Sequence, residues 1–372
     1  MSDVSAKSPI KVLVVDDSMF IRTALKRMLE ADPEIKVVGT ASNGLEAIKS
    51  IKVLNPDVVT MDIEMPQMDG LTALEKIMAE NPLPILMIST LTESGAEATI
   101  KALSLGALDY IGKQIARSSL DIVRIQKELQ TKIKLLAKRR PFMRARATTR
   151  FLPTHQTSQT VKHESTTSPV SIPIRKNRSV VQVVAIGTST GGPKALQEII
   201  PQLPAKFPSP ILIVQHMPAF FTKSLAERLD SLSQLTVKEA QMHDVVEAGK
   251  VLIAPGGQHM TVIKRGGQHE IRLSQSPKNL RHKPSVDVMM SSVAEVYGSH
   301  AIGVILTGMG HDGLEGLTEM HHRQGFTLAQ DESTSVIYGM PRVCVEKGIV
   351  DGVLPVDRMS HTLIRLVQKS RI

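Results

Sequence analysis

The chain has 372 residues, enough for two domains of ordinary size, and its 42% hydrophobic and 22% charged content excludes a disordered or fibrous protein. Its single cysteine, Cys344, excludes an internal disulfide framework; with no signal-peptide core at Met1-Ser-Asp-Val and no apolar run near the ~18 residues of a membrane span, it predicts a cytoplasmic protein without membrane insertion. A net charge of +9 would suit nucleic acid, but between Lys138 and Arg178 ten Lys or Arg face one acid, Glu164, and account for all of it, so the folded parts are near neutral and no nucleic-acid partner is expected.

Aromatic residues are scarce at 3% and tryptophan is absent, so the cores must be built from Val, Ile, Leu, Met and Ala, as in parallel sheets covered by helices. Strands are predicted at Ile10–Val15, Ile35–Thr40, Val58–Met61, Ile85–Ser89 and Asp109–Ile111. Between them, helical spacing of apolar residues marks Phe20–Leu29, Gly44–Val53, Gly70–Glu80 and Gly95–Leu105. This alternation predicts a doubly wound parallel sheet over residues 9–125. Residues 126–178 begin as a basic amphipathic helix, Leu120 to Lys138, and continue from Pro141 as a Ser/Thr/Pro-rich flexible linker of roughly 35–40 residues.

A second α/β domain is predicted over 179–372, with strands at Val180–Ile186, Ile211–Gln215, Lys250–Ala254, Gln268–Ser274 and Ala301–Thr307. The first, second and fifth are continuous apolar runs, as buried parallel strands require. Helices are expected at Lys194–Ile200, Phe220–Asp230, Val286–Tyr297 and Gly313–Gln324. Cys344 lies in an apolar run and reads as a small core residue rather than a nucleophile.

Ligands of parallel α/β sheets bind beyond the carboxyl ends of the strands. In the first domain those ends carry Asp16 and Asp17, then Asp62, then Ser89 and Thr90, then Lys113. Clustered carboxylates need a cation, and Mg²⁺ takes oxygen ligands of this kind. Asp62 could then act as nucleophile toward a phosphoryl group, with Lys113 balancing the added charge and Ser89 bonding a phosphoryl oxygen. The bland alternative is a set of helix-capping acids, of which Asp17, before Ser18, is the best example.

In the second domain Gly187-Thr-Ser-Thr-Gly-Gly-Pro fits G-x-S-x-G, the strand-to-helix turn that exposes a nucleophilic serine, here Ser189. On that motif alone a phosphate-cradling loop remains open. The next strand ends in His216, the residue type a general base requires, and the strand from Ala301 runs into a glycine-rich loop carrying Asp312. Asp287 is the runner-up acid; at a helix start it reads better as a charge on its own helix dipole. His259 and His282 lie in loops that could line the cleft, while adjacent His321 and His322 do not form a metal site.

Residues 9–125 resemble response-regulator receiver domains through Val14-Val-Asp-Asp-Ser, Met61-Asp-Ile-Glu-Met-Pro-Gln-Met-Asp-Gly, Ile88-Ser-Thr and Asp109-Tyr-Ile-Gly-Lys. The resemblance implies a flavodoxin-like fold, phosphorylation at Asp62, Mg²⁺ held by Asp16, Asp17, Asp62 and the Glu64 carbonyl, and a relay through Ser89, Tyr110 and Lys113. Gln114 departs from the proline usual there. Residues 179–372 resemble the chemotaxis protein-glutamate methylesterases through Ala185-Ile-Gly-Thr-Ser-Thr-Gly-Gly-Pro, Val214-Gln-His-Met-Pro, Ala254-Pro-Gly-Gly-Gln-His-Met, Pro284-Ser-Val-Asp-Val and Leu306-Thr-Gly-Met-Gly-His-Asp-Gly. That resemblance implies a Ser189, His216, Asp312 triad, with backbone oxyanion donors near Thr190 and Met309. It implies demethylation of glutamate methyl esters and deamidation of selected glutamines on methyl-accepting chemotaxis proteins. The same resemblance implies a chemotaxis histidine kinase as phosphodonor, a monomer, and a hydrolysis that needs no cofactor. The unphosphorylated receiver is expected to cover the active site and to release it on phosphorylation. A receiver-controlled binding module, a DNA-binding regulator and a hydrolase acting outside chemotaxis are the competing readings.

Overall fold

The computed structural model describes residues 8–113, 119–140, 143 and 179–369. The predicted linker from Pro141 to Arg178, apart from Met143, and the Gln114 position lie outside them. Contacts divide the chain into two compact units, Met1–Thr157 and Ser158–Ile372.

The first unit runs β1 (Ile10–Val15), α1 (Met19–Glu30), β2 (Ile35–Ala41), α2 (Gly44–Leu54), β3 (Val58–Asp62), α3 (Gly70–Glu80), β4 (Ile85–Ser89), α4 (Glu93–Leu105), β5 (Asp109–Gly112) and α5 (Ser119–Ala137). The strands form one sheet in the order β2-β1-β3-β4-β5, with every pair parallel. β3 and β4 are buried along their whole length, because helices cover both faces of the sheet. This explains why their sequences read as unbroken apolar runs. Each of the first four helices starts on a side-chain cap: Ser18, Asn43, Asp69 and Thr92 accept from the amides of Ile21, Glu46, Thr72 and Gly95. Ser18, not Asp17, caps α1, which leaves the Asp17 carboxylate exposed.

The second unit contains β6 (Val183–Thr188), α6 (Gly192–Ile199), β7 (Ile211–Gln215), α7 (Phe221–Leu232), β8 (Thr236–Glu239), β9 (Lys250–Ile253), β10 (His259–Arg265), β11 (Gln268–Ser274), α8 (Val286–Tyr297), β12 (Ala301–Ile305), α9 (Leu314–His322), β13 (Phe326–Gln330), α10 (Met340–Glu346), β14 (Gly352–Leu354) and α11 (Val356–Lys369). Seven strands make a parallel sheet in the order β14-β13-β12-β6-β7-β9-β8. The strand at Gln268–Ser274 is outside it: β11 pairs antiparallel with β10 in a separate two-stranded sheet. Its mixed sequence, Gln-His-Glu-Ile-Arg-Leu-Ser, buries only Ile271 fully, unlike the central strands of the main sheet. Cys344 is buried in the core of this unit.

The chain leaves β6 toward β7 on one side, and later strands return to β12 on the other. Order reverses at β6, and such a switch point opens a crevice beyond the strand ends. Ser189 follows β6, His216 follows β7, and the loop holding Asp312 follows β12.

Candidate active site and phosphoacceptor site

The turn after β6 is built for a close approach. The Ser189 amide donates to the Thr307 carbonyl at 3.1 Å, and the His216 amide donates to the Thr188 carbonyl at 3.1 Å. The three strand ends are thereby tied around Ser189. Gly191 adopts φ +81°, and a Cβ on Gly192 would fall 2.0 Å from Gln215 Oε1 and 2.4 Å from Thr188 Oγ1. Gly308 is equally confined, since its Cβ would come 2.9 Å from that of Ser189. Gln215, buried at the end of β7, donates from Nε2 to the carbonyls of Ser189 at 3.0 Å and His216 at 3.3 Å. Sequence reasoning missed this clamp, because a glutamine at a strand end carries no motif.

His216 Nε2 lies 2.6 Å from Asp312 Oδ2. Its Nδ1 is buried and has no partner among the described residues. The ring is fixed at one edge and keeps a second nitrogen for proton transfer, the pattern a general base requires. His282 stacks on its face, with centroids 4.2 Å apart and planes inclined by 7°. His259, by contrast, does not line a cleft: it begins β10 fully buried, with Nε2 on the Pro277 carbonyl at 3.1 Å.

Asp312 accepts three hydrogen bonds besides its contact with His216. Oδ1 accepts from Ser285 Oγ at 2.9 Å and from the Asp287 amide at 3.1 Å; Oδ2 accepts from the Val286 amide at 2.7 Å. Burial alone would push this carboxyl up, but the His216 contact and the amides of Val286 and Asp287 outweigh it and hold it well below the usual carboxylate range. Asp287 lies in the first turn of its own helix, as the sequence suggested, but its carboxylate is bonded to the next one. Its Oδ1 accepts from the amides of Gly313 and Gly316, because α8 and α9 begin side by side. Ser285 and Asp287 both escaped sequence reasoning as partners of Asp312, since their contacts span 25 to 29 residues.

The second constellation belongs to the first unit. Asp16, Asp17 and Asp62 each offer a carboxylate oxygen within 4.8 Å of the others, in a cleft also lined by Glu64, Ser89, Thr90 and Lys113. Lys113 Nζ lies 2.6 Å from Asp62 Oδ2 and 3.0 Å from Asp16 Oδ2. Burial raises Asp62 to about 6; Lys113 works against this, and the Asp16 charge adds to it. Three acids balanced by one lysine leave a negative cluster of oxygens, a donor set that fits a hard divalent cation. The Ser89 hydroxyl accepts from Thr99 Oγ1 at 2.7 Å and donates to the Gly95 carbonyl at 3.1 Å. Tyr110 is buried, with Lys132 Nζ 5.6 Å from its ring centroid and 2.8 Å from Asp109.

Comparison with known proteins follows this division. Residues 12–123 match the response regulator receiver domain family and residues 184–363 the CheB methylesterase family: a receiver is joined to an α/β esterase unit. A protein-glutamate methylesterase/protein-glutamine glutaminase of Oleidesulfovibrio alaskensis is 46% identical over 97% of this chain and 100% of its own. One from Pyrococcus abyssi is 45% identical over 97% and 95%. The crystal structure of the Thermotoga maritima CheB methylesterase catalytic domain is 47% identical, covering 50% of this chain and 99% of its own, with a TM-score of 0.49. The chain belongs to the protein-glutamate methylesterase/protein-glutamine glutaminase family.

Proposed function

We propose that this chain is a cytoplasmic, phosphorylation-activated serine hydrolase that removes methyl esters from glutamates, and amide groups from selected glutamines, of methyl-accepting chemotaxis proteins. The observation that carries this reading is the 2.6 Å contact of His216 with Asp312, made at strand ends on either side of the one that presents Ser189. His216 Nδ1 takes the Ser189 proton as Oγ attacks the γ-carbonyl carbon. Backbone N–H groups of Thr190 and Met309 stabilise the oxyanion. The proton then passes from His216 to the leaving group, releasing methanol from an ester or ammonia from an amide. Water, deprotonated by His216, hydrolyses the acyl-enzyme and restores Ser189. The ionised Asp312 holds the imidazole edge-on and stabilises its cationic form.

Asp62 is the phosphoacceptor, supplied by a chemotaxis histidine kinase. Asp16, Asp17, Asp62 and the Glu64 carbonyl would hold Mg²⁺, which would screen the carboxylates from the incoming phosphoryl charge. Lys113 keeps a positive charge at the Asp62 carboxylate. Ser89 and Tyr110 pass on the phosphorylation state, Ser89 by exchanging its Gly95 bond for a phosphoryl oxygen. The enzyme acts as a monomer, without nucleic acid.

Methanol release from a methylated receptor and fluorophosphonate labelling test the assignment. Ser189→Ala abolishes both, and His216→Ala lowers both by about 10³-fold or more, with no further loss in the double variant because the two groups act as a unit. Normal demethylation by Ser189→Ala would sink the reading.

A further inference from the structure

Two carboxyls cross over where α8 and α9 begin. Asp312 precedes α9, yet its oxygens receive the amides of Val286 and Asp287 and the hydroxyl of Ser285, all at the start of α8. Asp287 lies in the first turn of α8, yet its Oδ1 receives the amides of Gly313, the N-cap of α9, at 2.9 Å and of Gly316, in the first turn of α9, at 2.8 Å. Each helix starts on the acid of the other. Helix N-termini offer unsatisfied amides and the positive end of a dipole, so each exchange is favourable, and together they lock the two starts in one register.

The packing leaves little slack around this lock. A Cβ on Gly313 would fall 2.6 Å from Ile305 Cδ1 and 2.9 Å from Val286 Cγ1; one on Gly316 would fall 2.8 Å from the Asp287 carbonyl oxygen. A Cβ on Gly187, two residues before Ser189, would fall 2.2 Å from Val286 Cγ1. The start of α8 is therefore seated against the strand that carries the nucleophile. Loop 308–313 brings Asp312 to this place; Asp312 itself holds Ser285 and the amides of Val286 and Asp287, and the Asp287 side chain returns the contact to Gly313 and Gly316.

We infer that Asp287 is a positioning residue of the hydrolysis: by gripping the first amides of α9 it holds the Asp312 carboxylate against His216 Nε2. The inference rests on the reading of Asp312 as the catalytic acid. Burial, reinforced by the neighbouring Asp312 charge, raises the Asp287 carboxyl to about 7 against the pull of the glycine amides. Below about pH 7 Asp287 is protonated beside an ionised Asp312, which avoids two adjacent negative charges. Asparagine reproduces that state, with an oxygen for the amides of α9 and an N–H in place of the acid proton.

The test uses the full chain, Mg²⁺ and acetyl phosphate, a peptide carrying a glutamate γ-methyl ester, and fluorophosphonate labelling of Ser189. Asp287→Ala is expected to lower kcat by about 30-fold with KM within about twofold, and to slow labelling in proportion. Asp287→Asn is expected to recover most of both. Should the alanine variant not fold, Asp287→Ser, whose shorter side chain cannot span both amides, is measured in its place. The inference is overturned if the truncated variant keeps its kcat within about threefold, if the loss is in KM alone, or if asparagine is as slow as alanine. Asp312→Asn serves as the control. If it keeps full kcat, the catalytic-acid reading fails first and takes this inference with it.

Discussion

Asp62 carries the sharpest conflict at the scale of single residues. It is 3% exposed and shares its surroundings with Asp16. Desolvation raises it to about 6, and the Lys113 contact at 2.6 Å offsets this only in part. A carboxyl raised on folding stabilises the fold below its unfolded value, near 4, and this contribution is lost as pH climbs through 6. Ionised Asp62 therefore costs on the order of 2 kcal/mol at neutral pH without a cation. Asp62→Asn, unfolded by urea in EDTA, is expected to gain about that much over the parent at pH 8 and nothing at pH 4. Saturating Mg²⁺ should shrink the difference at pH 8. A gain independent of pH would show that the asparagine acts through packing instead. The proposed phosphoacceptor position is thus destabilised where a divalent ion and a phosphoryl group would relieve it, as functional sites often are.

Strands were legible where two-sided burial left an unbroken apolar run. The runs Val183–Thr188, Ile211–Gln215 and Ala301–Ile305 are buried throughout, and their unbroken apolar sequence announced the three strands whose ends meet at the site. In the first unit β3 and β4 were legible for the same reason, while the edge strand β2 buries only Ile35, Val37 and Ala41 and was legible from its β-branched residues. β8, β10, β13 and β14 were not. β8 has four residues and β14 three. β13 is Phe-Thr-Leu-Ala-Gln, whose buried Thr327 and Gln330 are satisfied by the Ile349 carbonyl and the Thr307 amide, partners no local pattern reveals. The same distance in sequence hid Gln215, Ser285 and Asp287 behind Ser189 and Asp312. Gly192 was legible as part of a motif, and the structure adds the reason it is glycine: the Gln215 side chain fills the space a Cβ would take. Gly192→Ala is expected to push Gln215 off the Ser189 carbonyl and to lower kcat by about tenfold to hundredfold, while the melting temperature falls only modestly. A variant with parental kcat would show that the clamp is dispensable. Either result reads the junction of β6 with α6 as one unit, because the displaced glutamine belongs to the neighbouring strand.

At the scale of the whole chain, regulation becomes a question about equilibria. The second unit holds all seven strands of its parallel sheet and a core of its own, so residues 179–372 should fold without the receiver. If the receiver acts by restraint, the isolated fragment sets the ceiling of activity. Phosphorylation can then shift the chain toward that ceiling only by as much as the phosphoryl group favours the released state. A receiver that contributed positively to catalysis would give the opposite order, with the fragment lowest. The expected order of turnover is the unphosphorylated chain lowest, the chain with acetyl phosphate and Mg²⁺ higher, and the fragment at least as high as the latter. Asp62→Asn in the full chain should stay at the lowest level whatever the phosphodonor. The measurement is methanol release from a methylated receptor, divided by the number of sites that fluorophosphonate labels. That division separates a closed active site from a misfolded one, since a restrained site still labels, only more slowly. A fragment no faster than the unphosphorylated chain would remove restraint as the mechanism and require the receiver to act by recruiting substrate.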